Sequence, residues 1–493
     1  MKKKDVLVVC ICFIISFVCL FICSKSSPLY VFNNDPDINA FYTVSRCWIN
    51  GIIPYRDIFE QKGPLLYLIF VIANFISNKS FIGIFIIELL SMTVFTYYIY
   101  KIMILFLSKN KSIYLLLFLF ISSITGSRFF VYGCKAEEFC LPLLAITLYS
   151  LLIFLLKNKK INNIRLFING VIAGCIFMIK FNLIGFWGIY LLIILYWMVR
   201  NNFYKEMILK LVFFMLGFCL VIIPFFIYFY IVNGLKDFVY IYFYFNTFSY
   251  ASFNNSFIIK AIRYIMFMVR NIYYGKFICL FIIIGIISFL VSKKYLINRF
   301  NKICFIMFFI GGSLGIYGAG DGYLYYFLMF VILEIFGLIF IYDIFNRINK
   351  GRIINIIMII CIISLAIFFI FNSISLEYLG KNKKDLIQYK FSKIIKEKNG
   401  KSILNYGRLD GGFYMTSNIL PSTKYFEFQN TDIKELHDEL DKKIANKEFD
   451  FIVYIYFDDN YDKVVTDNYK LIIKYDEIMW GTTKFYYSLF EKN

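Results

Sequence analysis

Residues 6–23 read VLVVCICFIISFVCLFIC, an apolar run without a single charge. Its length approaches the ~20 residues that cross a hydrocarbon core as one helix. Working outward, 81–107, 211–232 and 353–372 approach or exceed the same length. Of 493 residues, 60% are hydrophobic and 17% charged, so the apolar surface far exceeds what one soluble core can bury. Lipid is therefore the solvent for most of the chain. A membrane barrel would show alternating segments of about ten residues, and that period is missing here.

The formal charge of +20 does not point to nucleic acid, because Lys and Arg sit in short clusters between apolar runs and not in one patch. Cytoplasmic loops carry such an excess. Lys2–Lys4, Lys109/Lys111, Lys157–Arg165, Arg200–Lys210, Lys293–Lys302 and Arg347–Arg352 all fall on one side with about eleven spans. These are 6–23, 81–107, 113–126, 139–156, 166–180, 183–199, 211–232, 277–292, 303–317, 323–342 and 353–372. The run 65–77 is short and suits a juxtamembrane or re-entrant helix. Residues 1–23 have the look of a signal peptide, but no A-x-A-like site follows, which favours an uncleaved first helix.

This topology places 24–64, 127–138, 233–276, 318–322 and the tail outside, in a multi-pass protein of the plasma membrane. Asp35, Asp37, Asp57, Glu60, Glu137, Glu138 and Asp321 then gather in outer loops or at their edges, beside Arg46, Arg56, Lys62, Arg128 and Lys135. Several loops supplying both signs of charge point to a shared polar cavity. Asp57 and Glu60 also suit plain pairing with Arg56 and Lys62, and Glu138 with Arg128. From about 380 the apolar runs shorten to strand length (402–406, 451–456, 469–473) and alternate with charged helical segments (383–398, 431–446). The chain thus divides into a membrane domain, 1–372, and a soluble α/β domain, 373–493. YGRLDGGF (406–413) lacks G-x-G-x-x-G spacing and reads as a turn.

The 12 cysteines are scattered through apolar segments without a CxxC pair, so they read as small core residues. The one histidine, His437, lies in the tail. A Ser-His-Asp triad, a zincin helix or a histidine relay in the membrane part is therefore excluded. Acid–base work falls to carboxylates, Lys, Tyr or water.

Residues 33–66, NNDPDINAFYTVSRCWINGIIPYRDIFEQKGPLL, are too dense in Asp, Arg, Gly and Pro for a connector. The positions Asp37, Phe41, Gly51, Pro54, Tyr55, Arg56, Asp57, Lys62, Gly63 and Pro64 resemble the first outer loop of GT-C glycosyltransferases. The resemblance is to the protein-mannosyltransferase and aminoarabinose-transferase branch, glycosyltransferase family 39. GCKAEEFCLP (133–142) resembles an acidic segment opening a later helix, giving Glu137 and Glu138. Tyr325 and Tyr326 stand where relatives carry an aromatic pair.

The resemblance implies a GT-C-like membrane fold. It also implies an inverting transfer of a sugar from a polyprenyl-phosphate carrier to an extracytoplasmic glycan, lipid or protein. Asp37 would be the base, Lys62 would meet the carrier phosphate and Arg56 would assist. Asp35, Asp57, Glu60, Glu137 and Glu138 would be site acids, with Tyr325 and Tyr326 contacting donor or acceptor. Topology agrees, since nucleotide sugars stay in the cytoplasm and an outward-facing transferase needs a lipid-borne donor. Asp35-Pro36-Asp37 is also a D-x-D that would hold a divalent cation if one is used; no other cofactor is implied. A polysaccharide polymerase or a flippase for lipid-linked glycans are the rival readings. A flippase would want more mid-span charge than Lys101, Lys180 and Glu88.

Overall fold

A computed structural model describes residues 3–108, 112–157, 161–250, 256–318, 322–348, 352–428, 433–457, 460–479 and 483–493. Lys2, Lys109, Lys111, Lys159, Lys160, Lys350 and Asp321 of the sequence argument lie outside them. Among the described residues, seven helices are long and apolar enough to cross a membrane: Lys4–Cys23, Ile82–Phe106, Ala136–Leu156, Phe181–Arg200, Tyr204–Ile231, Arg299–Tyr317 and Ile353–Phe371. Two bent pairs bring the number up to nine if each counts as one span, Ile258–Tyr274 with Lys276–Val291 at 111° and Leu324–Val331 with Glu334–Arg347 at 43°.

Every one of the eleven expected spans is helical, but three of them are short. Ser112–Thr125 has 14 residues, Lys276–Val291 has 16 and Asn163–Ile179 has 17, so at 1.5 Å per residue none covers a ~30 Å core unless the bilayer thins around it. The short run 65–77 also forms a helix, Pro64–Ile76, of 13 residues. Hydropathy alone reads composition and not the rise of a helix that stops early.

The chain splits into two compact units. The first contains residues 1–27, 85–226 and 252–377; the second gathers 28–84, 227–251 and 378–493. A cut near 372 is therefore not how the chain packs, because the tail folds together with the first loop.

In the first unit, helix Lys276–Val291 packs on Glu334–Ile348, Arg352–Phe371 on Ser112–Thr125, and Arg299–Tyr317 on Gly185–Arg200. Small residues sit where backbones meet: a side chain on Gly337 would fall on the Phe281 carbonyl. Association in lipid depends on such close contact, since burying apolar surface from lipid gains little.

In the second unit the tail forms a four-stranded sheet from β1 (Ile403–Tyr406), β2 (Phe451–Tyr456), β3 (Tyr469–Met479) and β4 (Thr483–Lys492). Their order is β1-β2-β4-β3, with β1 parallel to β2 and the other pairs antiparallel. β2 is buried along its whole length, as expected of a central strand covered on both faces. Helices Ile387–Glu397 and Lys434–Ala445 match the expected charged segments closely. β4 lies beyond the expected strands, and β3 runs past 473 through Lys474, Asp476 and Glu477. Charges along such an edge discourage further pairing but hide the strand from an apolar search.

Candidate active site

Asp35 is the N-cap of helix Pro36–Ile49: its Oδ1 accepts from the amides of Asp37 at 3.0 Å and Ile38 at 3.4 Å. With Pro36 at the first helical position, the sequence DPD sets both the start and the direction of this helix. Asp37 lies in its first turn and is half-buried, while Ile38, Phe41 and Tyr42 pack inward. Asp35 thus has a structural task, and Asp37 stands beside it as the second carboxylate at the helix start.

Beyond the helix, residues 51–63 make a clamp. Tyr55 is completely buried with φ +69°, a costly conformation for a bulky residue, of the kind that clusters at functional sites. Its hydroxyl donates to the Lys62 carbonyl at 2.6 Å. On the other side, the Lys62 amide donates to Glu60 Oε2 at 3.0 Å and to the Tyr67 hydroxyl at 2.9 Å, and Tyr67 in turn donates to Glu60. The Lys62 backbone is therefore gripped from both faces. Its ammonium stands 3.8 Å from Glu60, and the side chain is 16% exposed.

Arg56 behaves differently. Its Nε and Nη2 take Asp57 in a fork at 2.7 Å each, and Nη1 donates to the Val232 carbonyl at 2.5 Å. The guanidinium holds the Asp57 carboxyl below the usual carboxylate range. The pairings Arg56–Asp57 and Lys62–Glu60 both form; Arg56 spends its donors holding the loop.

The tail supplies what the sequence reading missed. Asp410, in the segment read as a turn, accepts from the Thr43 hydroxyl at 2.5 Å, and Glu427 accepts the Asp410 amide at 2.6 Å. Arg46 donates to the Tyr414 carbonyl at 3.1 Å, and the Phe59 amide to the Lys424 carbonyl at 2.8 Å. Both tail acids are buried, and burial raises the Glu427 carboxyl, with Glu60 and Asp410 adding to the shift. Nothing in a single sequence marks these two acids; only their place beside helix Pro36–Ile49 does.

Burial pushes the Asp410 carboxyl up to about 6 from 3.8, against the Thr43 and Gly412 hydrogen bonds. The folded chain therefore binds this proton more tightly than the unfolded chain does. The contribution is full below 3.8 and is lost as pH rises to about 6, then stays level. In thermal melts of the full chain, wild type is expected to lose more stability across that window than Asp410→Asn; equal slopes would contradict it.

The other predicted residues lie in the first unit. Glu137 forms an ion pair with Lys180, with side chains 1% and 10% exposed. The Lys180 Nζ stands 3.6 Å from the Tyr326 ring centre, and Lys135 Nζ 4.8 Å from that of Tyr325. The two tyrosines, stacked edge to face at 5.2 Å, therefore flank two cations. Glu138 does not meet Arg128, which lies over the Tyr274 ring. Instead Glu138 and Glu88 converge on the Cys134 amide at 2.5 and 3.2 Å, and Ser24 donates to Glu88 at 2.7 Å. Cys134 and Val131 are both left-handed, at φ +61° and +57°, so these carboxyls lock a tight loop.

All 12 cysteines are free, Cys47 and Cys134 among them. Among the described residues no three His, Cys, Asp or Glu side chains converge as a metal site. With Asp35 Oδ1 committed to the helix cap, the D-x-D offers an incomplete donor set.

No family model and no curated protein matches the sequence. Solved structures do. ArnT from Cupriavidus metallidurans in the apo state superposes with a TM-score of 0.62, and ArnT bound to undecaprenyl phosphate with 0.58. The chain has the ArnT fold. Each likeness spans 99% of this chain and 98% of that one at 9% identity. The likeness covers the membrane helices and the tail alike, and this is a multi-pass membrane protein.

Proposed function

We propose that the chain is an inverting glycosyltransferase that moves a sugar from a polyprenyl-phosphate carrier to an extracytoplasmic glycan, lipid or protein. The observation that carries the reading is the doubly gripped backbone of Lys62, held in part by the strained Tyr55, in a chain with the ArnT fold. A cation carried on so fixed a backbone, with Glu60 3.8 Å from its ammonium, suits a phosphate on which charge develops. Residues 28–84, 227–251 and 378–493 form one unit, which supports a shared side of the membrane. The distribution of basic clusters supports the outer side.

In the proposed step Asp37 takes the proton of an acceptor hydroxyl. The freed oxygen forms a bond to the anomeric carbon from the face opposite the carrier, and the bond from that carbon to the phosphate oxygen breaks. Polyprenyl phosphate leaves with the bonding pair, and Lys62 offsets its charge. Arg56, with its fork on Asp57, acts by holding the loop. Glu60 positions Lys62, and Glu137, Glu138, Tyr325 and Tyr326 are proposed to shape the donor or acceptor side. No step is routed through a cation. Transfer from a labelled polyprenyl-phosphate sugar in membranes tests the reading. Lys62→Met is expected to raise the donor KM about 10- to 100-fold, the worth of one or two charge-assisted hydrogen bonds. An unchanged donor KM would remove Lys62 from the phosphate site.

A further inference from the structure

Away from the Lys62 clamp, the second unit contains a cavity of about 460 Å³ between the ends of helices Pro36–Ile49 and Pro64–Ile76 and the tail. Its walls include Arg46, Asn50, Asn74, Phe75, Asn78 and Asn418, and no carboxylate lines it. Four carboxamides surround this one space. A carboxamide carries two donors and an acceptor side by side, the pattern that matches neighbouring hydroxyls on a sugar ring. Asn74 is 6% exposed, and its carboxamide oxygen has no hydrogen-bond partner, although its Nδ2 donates to Ser45 Oγ at 2.7 Å and the Phe70 carbonyl at 3.0 Å. A buried acceptor left in this state costs free energy. Phe75, 75% exposed at the rim, offers an apolar face of the kind that sugar C–H groups cover.

The volume lies within the ordinary range for a small-molecule site, enough for one or two sugar units. Arg46 is fixed by the Tyr414 carbonyl at 3.1 Å and Asn418 Oδ1 at 2.8 Å, so the cavity wall is built in advance of any ligand. The absence of acids disfavours a cationic ligand, and one guanidinium among amides suits a neutral or weakly anionic one.

We propose that this cavity is a second saccharide site, which holds part of a hydroxyl-rich glycan while its end is at the catalytic loop. Binding does not depend on the transferase reading; only the use made of the glycan does, and it would make the acceptor a glycan and not a protein.

The test is calorimetric titration of the full chain in lipid nanodiscs with tetrasaccharides of hexose, deoxyhexose and acetamido-hexose, no donor being present. At least one tetramer is expected to bind saturably, and Asn78→Ala, at an exposed position, to weaken it tenfold or more without moving the thermal midpoint. Asn74→Leu is expected to weaken it further. Asp37→Asn is expected to bind like wild type, which separates this site from the catalytic proposal. The inference is overturned if no tetramer binds, or if the Asn78 and Asn74 variants bind as tightly as wild type.

Discussion

Asp37→Asn is expected to slow transfer from a polyprenyl-phosphate sugar by about 10²- to 10⁴-fold, the range a general base contributes. The substitution keeps the size of the side chain and leaves the Asp35 cap and Pro36 in place, so the helix should start where it does now. Asn cannot accept the acceptor proton at neutral pH, so the loss should fall on kcat, with the donor KM little moved. A thermal midpoint equal to that of wild type would accompany the loss. If Asp37→Asn transferred as fast as wild type, another group would be the base. Asp35→Asn is the natural control: Asn caps a helix about as well as Asp, and it should retain most activity.

The second large effect is on stability. Lys180→Met removes the partner of Glu137, a side chain 1% exposed, and leaves a buried carboxylate without its cation. Breaking a buried pair from one side costs about 3–5 kcal/mol. Adding Glu137→Gln removes the stranded charge, so the double variant should recover a large part of the loss. A double-mutant cycle in thermal or denaturant unfolding reads this directly. A double variant as unstable as the sum of the singles would show that the two side chains act independently.

Much of this fold was legible because lipid imposes a harsh filter on sequence. A helix in hydrocarbon must be apolar along its length, so all eleven expected spans coincide with helices. Length was harder to read: Ser112–Thr125 and Asn163–Ile179 end before a full crossing. In the loop, Asp35, Pro36 and Asp37 could be placed because capping and proline act locally. Lys180 reads in the sequence as one of a few mid-span charges. Its partner is 43 positions away, and no local pattern joins them. The same applies to Asp410, whose meaning depends on Thr43, 367 positions earlier. Strand β4 escaped because Ser488 interrupts its apolar residues and Lys484 and Glu491 bound them.

That separation of 367 positions also bears on how the protein is made. Segments 28–84 and 227–251 leave the ribosome well before the tail that completes their unit. Until then helix Pro36–Ile49 has neither Asp410 on Thr43 nor the Tyr414 carbonyl on Arg46. Contacts between such distant positions form slowly, and surfaces awaiting them are prone to misassembly. The helix that carries Asp37 thus gains these supports only after the last membrane helix has been synthesised. Assembly of this unit waits for the tail, and a nascent chain interrupted before 378 should hold the proposed base on a helix that lacks its tail supports.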